Sequence, residues 1–161
     1  MKSLIVYYSY SGITRRLAED IALITDGELL ELKPQDSYSF SYNTAVKEVR
    51  AQIEKSVCPA LMPSDVHVGD FDTFFIGSPN WLKTFAPPVL SFLRATDLSG
   101  KTVIPFCTHG GGGFGNMIEE YQRECGASRV MPGLAVKGTY TFSEVQKWLD
   151  SIGLNNASTS S

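Results

Sequence analysis

The sequence predicts a doubly wound α/β domain, a five-stranded parallel sheet in the order 2-1-3-4-5 with helices on both faces. Three observations predict it. Short apolar runs, near-continuous and partly β-branched, recur along the chain as they do in strands buried on both faces. Stretches with apolar residues at helical spacing separate these runs. Polar and glycine-rich turns mark the passages between them. Right-handed crossovers then leave few topologies.

Leu4-Ile5-Val6-Tyr7-Tyr8 reads as the first strand and ends in the turn cluster Ser9-Tyr10-Ser11-Gly12. Leu17, Ala18, Ile21 and Ile24 form a helical stripe, with Thr14 expected as N-cap and Gly27 as the stop. Glu28 to Leu32 makes a weaker second strand, closed by Pro34. Residues 34–69 are the least regular part: a polar and aromatic loop over 35–42, a helix from about Ala45 to Lys55, then Pro59 and Pro63. The third strand is Thr73-Phe74-Phe75-Ile76, ended by Gly77-Ser78-Pro79 and followed by a helix around Pro88 to Thr96. Lys101 to Thr108 is the fourth strand. A glycine run and a helix bearing Met117, Ile118 and Tyr121 follow it. Arg129 to Val136 is the fifth strand, and Val145, Trp148, Leu149 and Ile152 define the final helix. One domain is expected over residues 1–154, with 155–161 a polar C-terminal tail.

Hydrophobic residues are 43% of the 161, enough to build a core and too many for a disordered chain. The net charge of −3 argues against a nucleic-acid binder, which would carry a basic stripe. The apolar run at Leu4–Tyr8 is far too short for a signal sequence or a membrane span. Cys58, Cys107 and Cys125 form no metal-ligand pattern. Cys107 and Cys125 fall in apolar settings and read as core residues, and three unpaired thiols suit the cytoplasm.

Three segments carry the chemistry. Ser9-Tyr10-Ser11-Gly12-Ile13-Thr14 joins a buried strand to an amphipathic helix. The unpaired N–H groups and positive dipole end of such a helix receive a phosphate, and the hydroxyls add donors without any lysine. The bland alternative is an ordinary turn with a capping threonine. Gly100-Lys101-Thr102 mimics the end of a Walker A sequence, but Ala95 stands where its first glycine belongs and the segment precedes a strand. The glycines from Gly110 follow the fourth strand without a properly spaced acid, which excludes a dinucleotide fingerprint.

Gly77-Ser78-Pro79-Asn80-Trp81 ends the third strand, beside the crevice where the strand order reverses. Trp81 on that turn is expected to offer a flat face to an aromatic ring, against a reading as a core tryptophan. Trp148, on a helix face, is core. Thr108-His109-Gly110-Gly111-Gly112-Gly113 spends backbone entropy that stability alone does not reward, so the main chain is expected to lie against a ligand there. A flexible connector is the alternative, and His109 reads as a solvated side chain.

Together these segments resemble the flavodoxin family, over roughly residues 2 to 154, particularly the short flavodoxins in which a Gly-Ser-Pro turn precedes a tryptophan. The resemblance implies FMN as cofactor, with its phosphate on Ser9, Ser11, Gly12, Ile13 and Thr14. It places the isoalloxazine between Pro79, Asn80 and Trp81 on one side and Thr108, Gly110, Gly111 and Gly112 on the other. It implies electron carriage between a flavoprotein reductase and an electron acceptor, by a monomer or weak dimer, with no catalytic residue of its own. The alternative is an NAD(P)H-dependent quinone reductase of the same fold. A receiver module is set aside, because Ser9 and Ser78 stand where its carboxylates belong. The chain departs from the family at Asn80 and Leu82, and no carboxylate occurs in Ser9–Thr14, Ser78–Pro87 or Thr108–Asn116.

Overall fold

The computed structural model describes residues 2–155. In chain order the elements are β1 (Ser3–Tyr7), α1 (Ile13–Thr25), β2 (Glu28–Glu31), α2 (Tyr42–Glu54) and a 3-10 turn at Val68–Asp70. Then come β3 (Thr73–Pro79), α3 (Pro87–Ala95), β4 (Thr102–Thr108), α4 (Met117–Glu124), β5 (Arg129–Val130), β6 (Leu134–Val136) and α5 (Phe142–Ser151). The sheet runs β2-β1-β3-β4-β5, with β6 also pairing to β4, and every named pairing is parallel. The strand order is the one the sequence predicts.

The fifth strand differs from its expected form. It is split into β5 and β6, because Val103 pairs with Val130 but Phe106 pairs with Leu134, leaving one extra residue on the outer side. Pro132 has no N–H to give to a ladder, and it falls in the gap opposite Pro105, which has none either. Gly133 makes the close approach possible: a Cβ there would sit 2.2 Å from the Pro105 carbonyl oxygen. The break is a bulge built from residue types visible in the sequence.

Alternate residues of the central strands feed two cores, as a period of two requires. Leu4, Val6, Phe74, Ile76, Val103 and Cys107 pack against α2, α3 and α4, whose Val49, Val89 and Tyr121 belong to the same cluster. Ile5, Tyr7, Phe75, Ile104 and Phe106 pack against α1 and α5 through Leu17, Ile21, Val145 and Trp148. Trp148 is core, as its helical stripe implies, and its indole N–H donates to the Pro132 carbonyl. Burial alone pushes the Cys107 thiol up to about 12, and burial leads the rise at Cys125 to about 11. Both remain protonated core thiols.

Several boundaries move. Helix α1 starts at Ile13 with Gly12 at the cap, φ 99°, and Thr14 lies within its first turn rather than capping it. Its C-cap is Asp26, left-handed at φ 57°. Gly27 instead gives room to the sheet, since a Cβ there would meet Ile5 at 2.5 Å. Helix α2 begins at Tyr42, ahead of the expected Ala45. Part of the 34–69 segment returns beside β2, where Pro34 bridges Leu61 and the Met62 N–H donates to the Lys33 carbonyl. Helix α5 carries a full capping box between Thr141 and Glu144. Asn155 is buried, and the rest of the expected tail lies outside the described residues. Among the described residues no helix is long and apolar enough to cross a membrane.

Gly77, in β3 beside β1 and β4, has no room for a side chain: a Cβ would lie 2.0 Å from the Phe106 ring. Gly77→Ala is therefore expected to reduce the unfolding free energy by about 1–3 kcal/mol, measured by urea denaturation. An unchanged midpoint would show that Phe106 can move aside.

Candidate functional site

The loops after β1, β3 and β4 lie at one edge of the sheet, where parallel strands end. In the first, Gly12 takes a left-handed φ of 99° and its N–H donates to Ser9 Oγ at 3.1 Å. That curl precedes a helix with no side-chain cap bond and no acid in its first turn. A Cβ on Gly12 would meet nothing within 4 Å. The start of α1 therefore has main-chain N–H groups and a positive dipole end without a side-chain cap, as at α2, α3 and α4 and unlike the fully capped α5. Ser11 is exposed. Thr14 is buried, and its hydroxyl shares a 2.7 Å hydrogen bond with that of Thr108.

The arginines after this loop are held by partners. Arg15 pairs with Glu31 of β2. Arg16 donates to the Tyr140 hydroxyl and the Gly138 carbonyl, and lies 4.5 Å from the Tyr140 ring centre. Burial, with the hydrogen bond to Asp20, pushes the Tyr140 phenol up to about 12 and keeps it a donor. The anchors brace the first helical turn.

The second loop is a tight hairpin. Trp81 and Thr84 exchange backbone hydrogen bonds at 2.9 and 3.1 Å, and between them Leu82 and Lys83 have φ values of 56° and 69°. Positive φ at both central positions is the mark of a type I′ turn, which favours Asn and Gly. For a leucine and a lysine each such residue costs roughly 1–2 kcal/mol. The surroundings enforce it. Ser78, buried below, donates to the Pro79 carbonyl and accepts from the Ala86 N–H, while Thr84 donates to Glu120 of α4. The Asn80 side chain bonds to both Lys83 and Gly113.

Trp81 departs from its expected position. It is only 6% exposed, enclosed by Tyr8, Tyr10 and Tyr38 at ring-centre distances of 5.4–5.6 Å. All three tyrosine rings meet the indole edge-on, at interplanar angles of 66–77°. The indole is the pillar of the loop, and Leu82, 40% exposed, stands at the apex. Burial raises the pKa of Tyr8 and Tyr38 well above the ordinary tyrosine value, so these two phenols stay neutral.

The third loop runs from Thr108, the last residue of β4. The His109 N–H donates to Val136, and its Nδ1 accepts from the Gly111 N–H at 3.0 Å, so this histidine shapes the turn. Cβ atoms added to Gly110, Gly111 or Gly113 would meet nothing within 4 Å, whereas at Gly115 one would strike the Lys83 carbonyl oxygen at 2.6 Å. The glycines thus divide: some border open space, and one lets two loops cross.

Thr14, Thr108 and Asn80 meet, through the hydroxyl pair and a 2.8 Å bond from the Asn80 N–H to the Thr108 carbonyl. The arrangement can receive an anion at the helix end and a flat ring along bare backbone. Among the described residues no cluster of His, Cys, Asp or Glu could hold a metal. Sequence reasoning missed the left-handed Leu82–Lys83 pair and the tyrosines around Trp81, which come from distant segments. Trp81→Ala is expected to remove about 3–5 kcal/mol of stability from the flavin-free protein, read by thermal or urea unfolding. A near-neutral result would contradict the pillar role.

The family model for flavodoxins matches residues 2–152. Among solved structures, a Bacteroides eggerthii protein described as a flavoprotein superposes with a TM-score of 0.85 at 26% identity, over 96% of this chain and 99% of that one. A Lactobacillus acidophilus flavoprotein in complex with FMN superposes with a TM-score of 0.76 at 28% identity, over 91% and 97% of the two chains. Rubredoxin oxygen:oxidoreductase from Desulfovibrio gigas shares the fold at 16% identity and a TM-score of 0.60, over 96% of this chain and 35% of that one. No curated protein matches. Strand order, site-bearing loops and a match spanning nearly all residues converge: this chain belongs to the flavodoxin family.

Proposed function

We propose that this protein binds FMN across the three loops and carries electrons between a flavoprotein reductase and an acceptor protein. One observation carries the reading. An uncapped helix start without lysine stands beside glycines that border open space, on a fold whose Lactobacillus acidophilus relative is in complex with FMN. The residues fit that cofactor: backbone donors and Ser9, Ser11 and Thr14 suit a phosphate, and the bare backbone at Gly110 and Gly111 suits a planar ring. When bound, FMN supplies the redox chemistry; the chain supplies binding, orientation and electrostatics.

In this reading Ser9, Ser11, Gly12, Ile13 and Thr14 hold the phosphate, with Thr14 also anchoring the loop through Thr108. Pro79 and Asn80 border the ring on one side, backed by Trp81, and Thr108, Gly110, Gly111 and Gly112 border it on the other. Lys83 is exposed and has no ion pair among the described residues, while two carboxylates approach already engaged, Glu31 with Arg15 and Glu120 with Thr84. A cation beside the ring and no free carboxylate within the loops favour the more negative, reduced flavin by simple Coulomb attraction. The same charge pattern supports a second reading, a quinone reductase that accepts electrons directly from NADH or NADPH.

Ser11→Ala is expected to weaken FMN by about tenfold to a hundredfold, the value of one charge-assisted hydrogen bond, while leaving riboflavin affinity unchanged. Thr14→Ala is a poorer probe because it also orphans the Thr108 hydroxyl. Equal affinity of the unmodified protein for FMN and riboflavin would remove the phosphate assignment.

Stopped-flow mixing of the FMN-loaded protein with NADH or NADPH separates the two functional readings. The carrier reading expects reduction only when a flavoprotein reductase is added. Rapid direct reduction, sustained over many turnovers with a quinone, would establish the reductase instead.

A further inference from the structure

We propose that Asn80 is the positioning residue of the ring site: its side chain fastens the loop after β3 to the glycine loop after β4 and holds the Leu82–Lys83 turn left-handed. The proposal rests on the flavin-binding reading above for its functional consequence, and on geometry alone for the fastening itself.

Asn80 uses both ends of its amide. Oδ1 accepts from the Lys83 N–H at 3.0 Å, and Nδ2 donates to the Gly113 carbonyl at 2.8 Å. Its backbone N–H adds a third link, to the Thr108 carbonyl at 2.8 Å. The amide satisfies both side-chain partners, because one needs an acceptor and the other a donor. An aspartate would keep the Lys83 bond and set a second oxygen against the Gly113 oxygen.

The turn needs this support. Leu82 and Lys83 have no intrinsic preference for φ values of 56° and 69°. What holds them is external: Asn80 on the Lys83 N–H, Asn116 donating to the Lys83 carbonyl at 2.6 Å, and the Trp81–Thr84 pair. The neighbouring glycines fit the same scheme. A Cβ on Gly112 would approach Asn80 Nδ2 at 3.4 Å, and one on Gly115 would collide with Lys83. The spacing between the two loops is therefore set by the chain before any flavin arrives. Asn80 acts on the ring and not on the phosphate, whose loop it touches only through Thr108.

The test compares Asn80→Ala and Asn80→Asp with the unmodified protein by two readouts. In the flavin-free protein, amide hydrogen exchange at Lys83 and Asn116 is expected to accelerate about tenfold or more in Asn80→Ala. In titrations, FMN and riboflavin affinities are expected to fall by the same factor, about tenfold, leaving their ratio unchanged. Adding Leu82→Asn and Lys83→Gly to Asn80→Ala, which makes the turn self-sufficient, is expected to restore most of the loss. Asn80→Asp, which keeps the Lys83 bond and guards against misfolding of the alanine variant, is expected to lose affinity for both flavins by one common factor, through the oxygen set against the Gly113 carbonyl. Unchanged exchange and affinity in both variants, or a loss confined to FMN, would overturn the proposal. An unmodified protein that binds neither flavin would end the flavin reading, while the exchange rates would still decide whether Asn80 fastens the loops.

Discussion

Thr14 and Thr108 stand on different elements, ninety-four positions apart, and share a buried hydrogen bond of 2.7 Å. The Thr108 carbonyl accepts from Asn80, and Thr108 pairs with Pro79 on one side and Val136 on the other. Three loops are thereby tied to one residue at the end of β4. The tie works only because the strands beneath it are in register, and the register is imposed by alternate burial of their side chains on two faces. A slip of one residue would exchange the two cores and separate the loops. The packed sheet and the candidate site are consequences of the same pairing.

The electrostatics at this edge follow from what the chain leaves unpaired. Arg15 and Arg16 are engaged by Glu31 and by Tyr140 with Gly138, so they stiffen the first turn of α1 rather than stand free beside the loop. The donors left at the helix end are main-chain N–H groups and hydroxyls, which can be aimed more closely than a flexible ammonium. In the proposed mode of binding, a phosphate held this way draws on geometry set by Gly12 and braced by Tyr140. Along the loops proposed to border the ring, Gly110 and Gly111 keep the backbone bare, and the tyrosines packed around Trp81 give that side a wall.

Much of this was legible in the sequence. Continuous apolar runs separated by amphipathic stretches were enough to yield the alternation of strands and helices, because a strand buried on both faces and a one-sided helix have different periods. The strand order then came from the crossover rule and the doubly wound pattern. The loop proposed to hold the phosphate stands out for a similarly local reason: hydroxyls and a glycine between a strand and a helix. The split of the fifth strand was not read from the sequence, although Pro132, with no N–H to donate, falls in the gap between β5 and β6. Trp81 was not legible. Its burial is produced by Tyr8, Tyr10 and Tyr38, which meet only after the sheet forms and the 34–69 segment folds back. Nor does local sequence indicate left-handed Leu82 and Lys83, since tertiary hydrogen bonds override their preference.

The central claim is that one site, formed by the loops after β1, β3 and β4, receives FMN. Titrating the isotope-labelled flavin-free protein with FMN, and following each backbone amide by NMR, tests it most directly. The account predicts that the largest shifts fall on Ser11 to Thr14, Asn80 to Lys83 and Gly110 to Gly113, and that they saturate together at equimolar FMN. Shifts centred elsewhere, or groups that saturate at different concentrations, would contradict it.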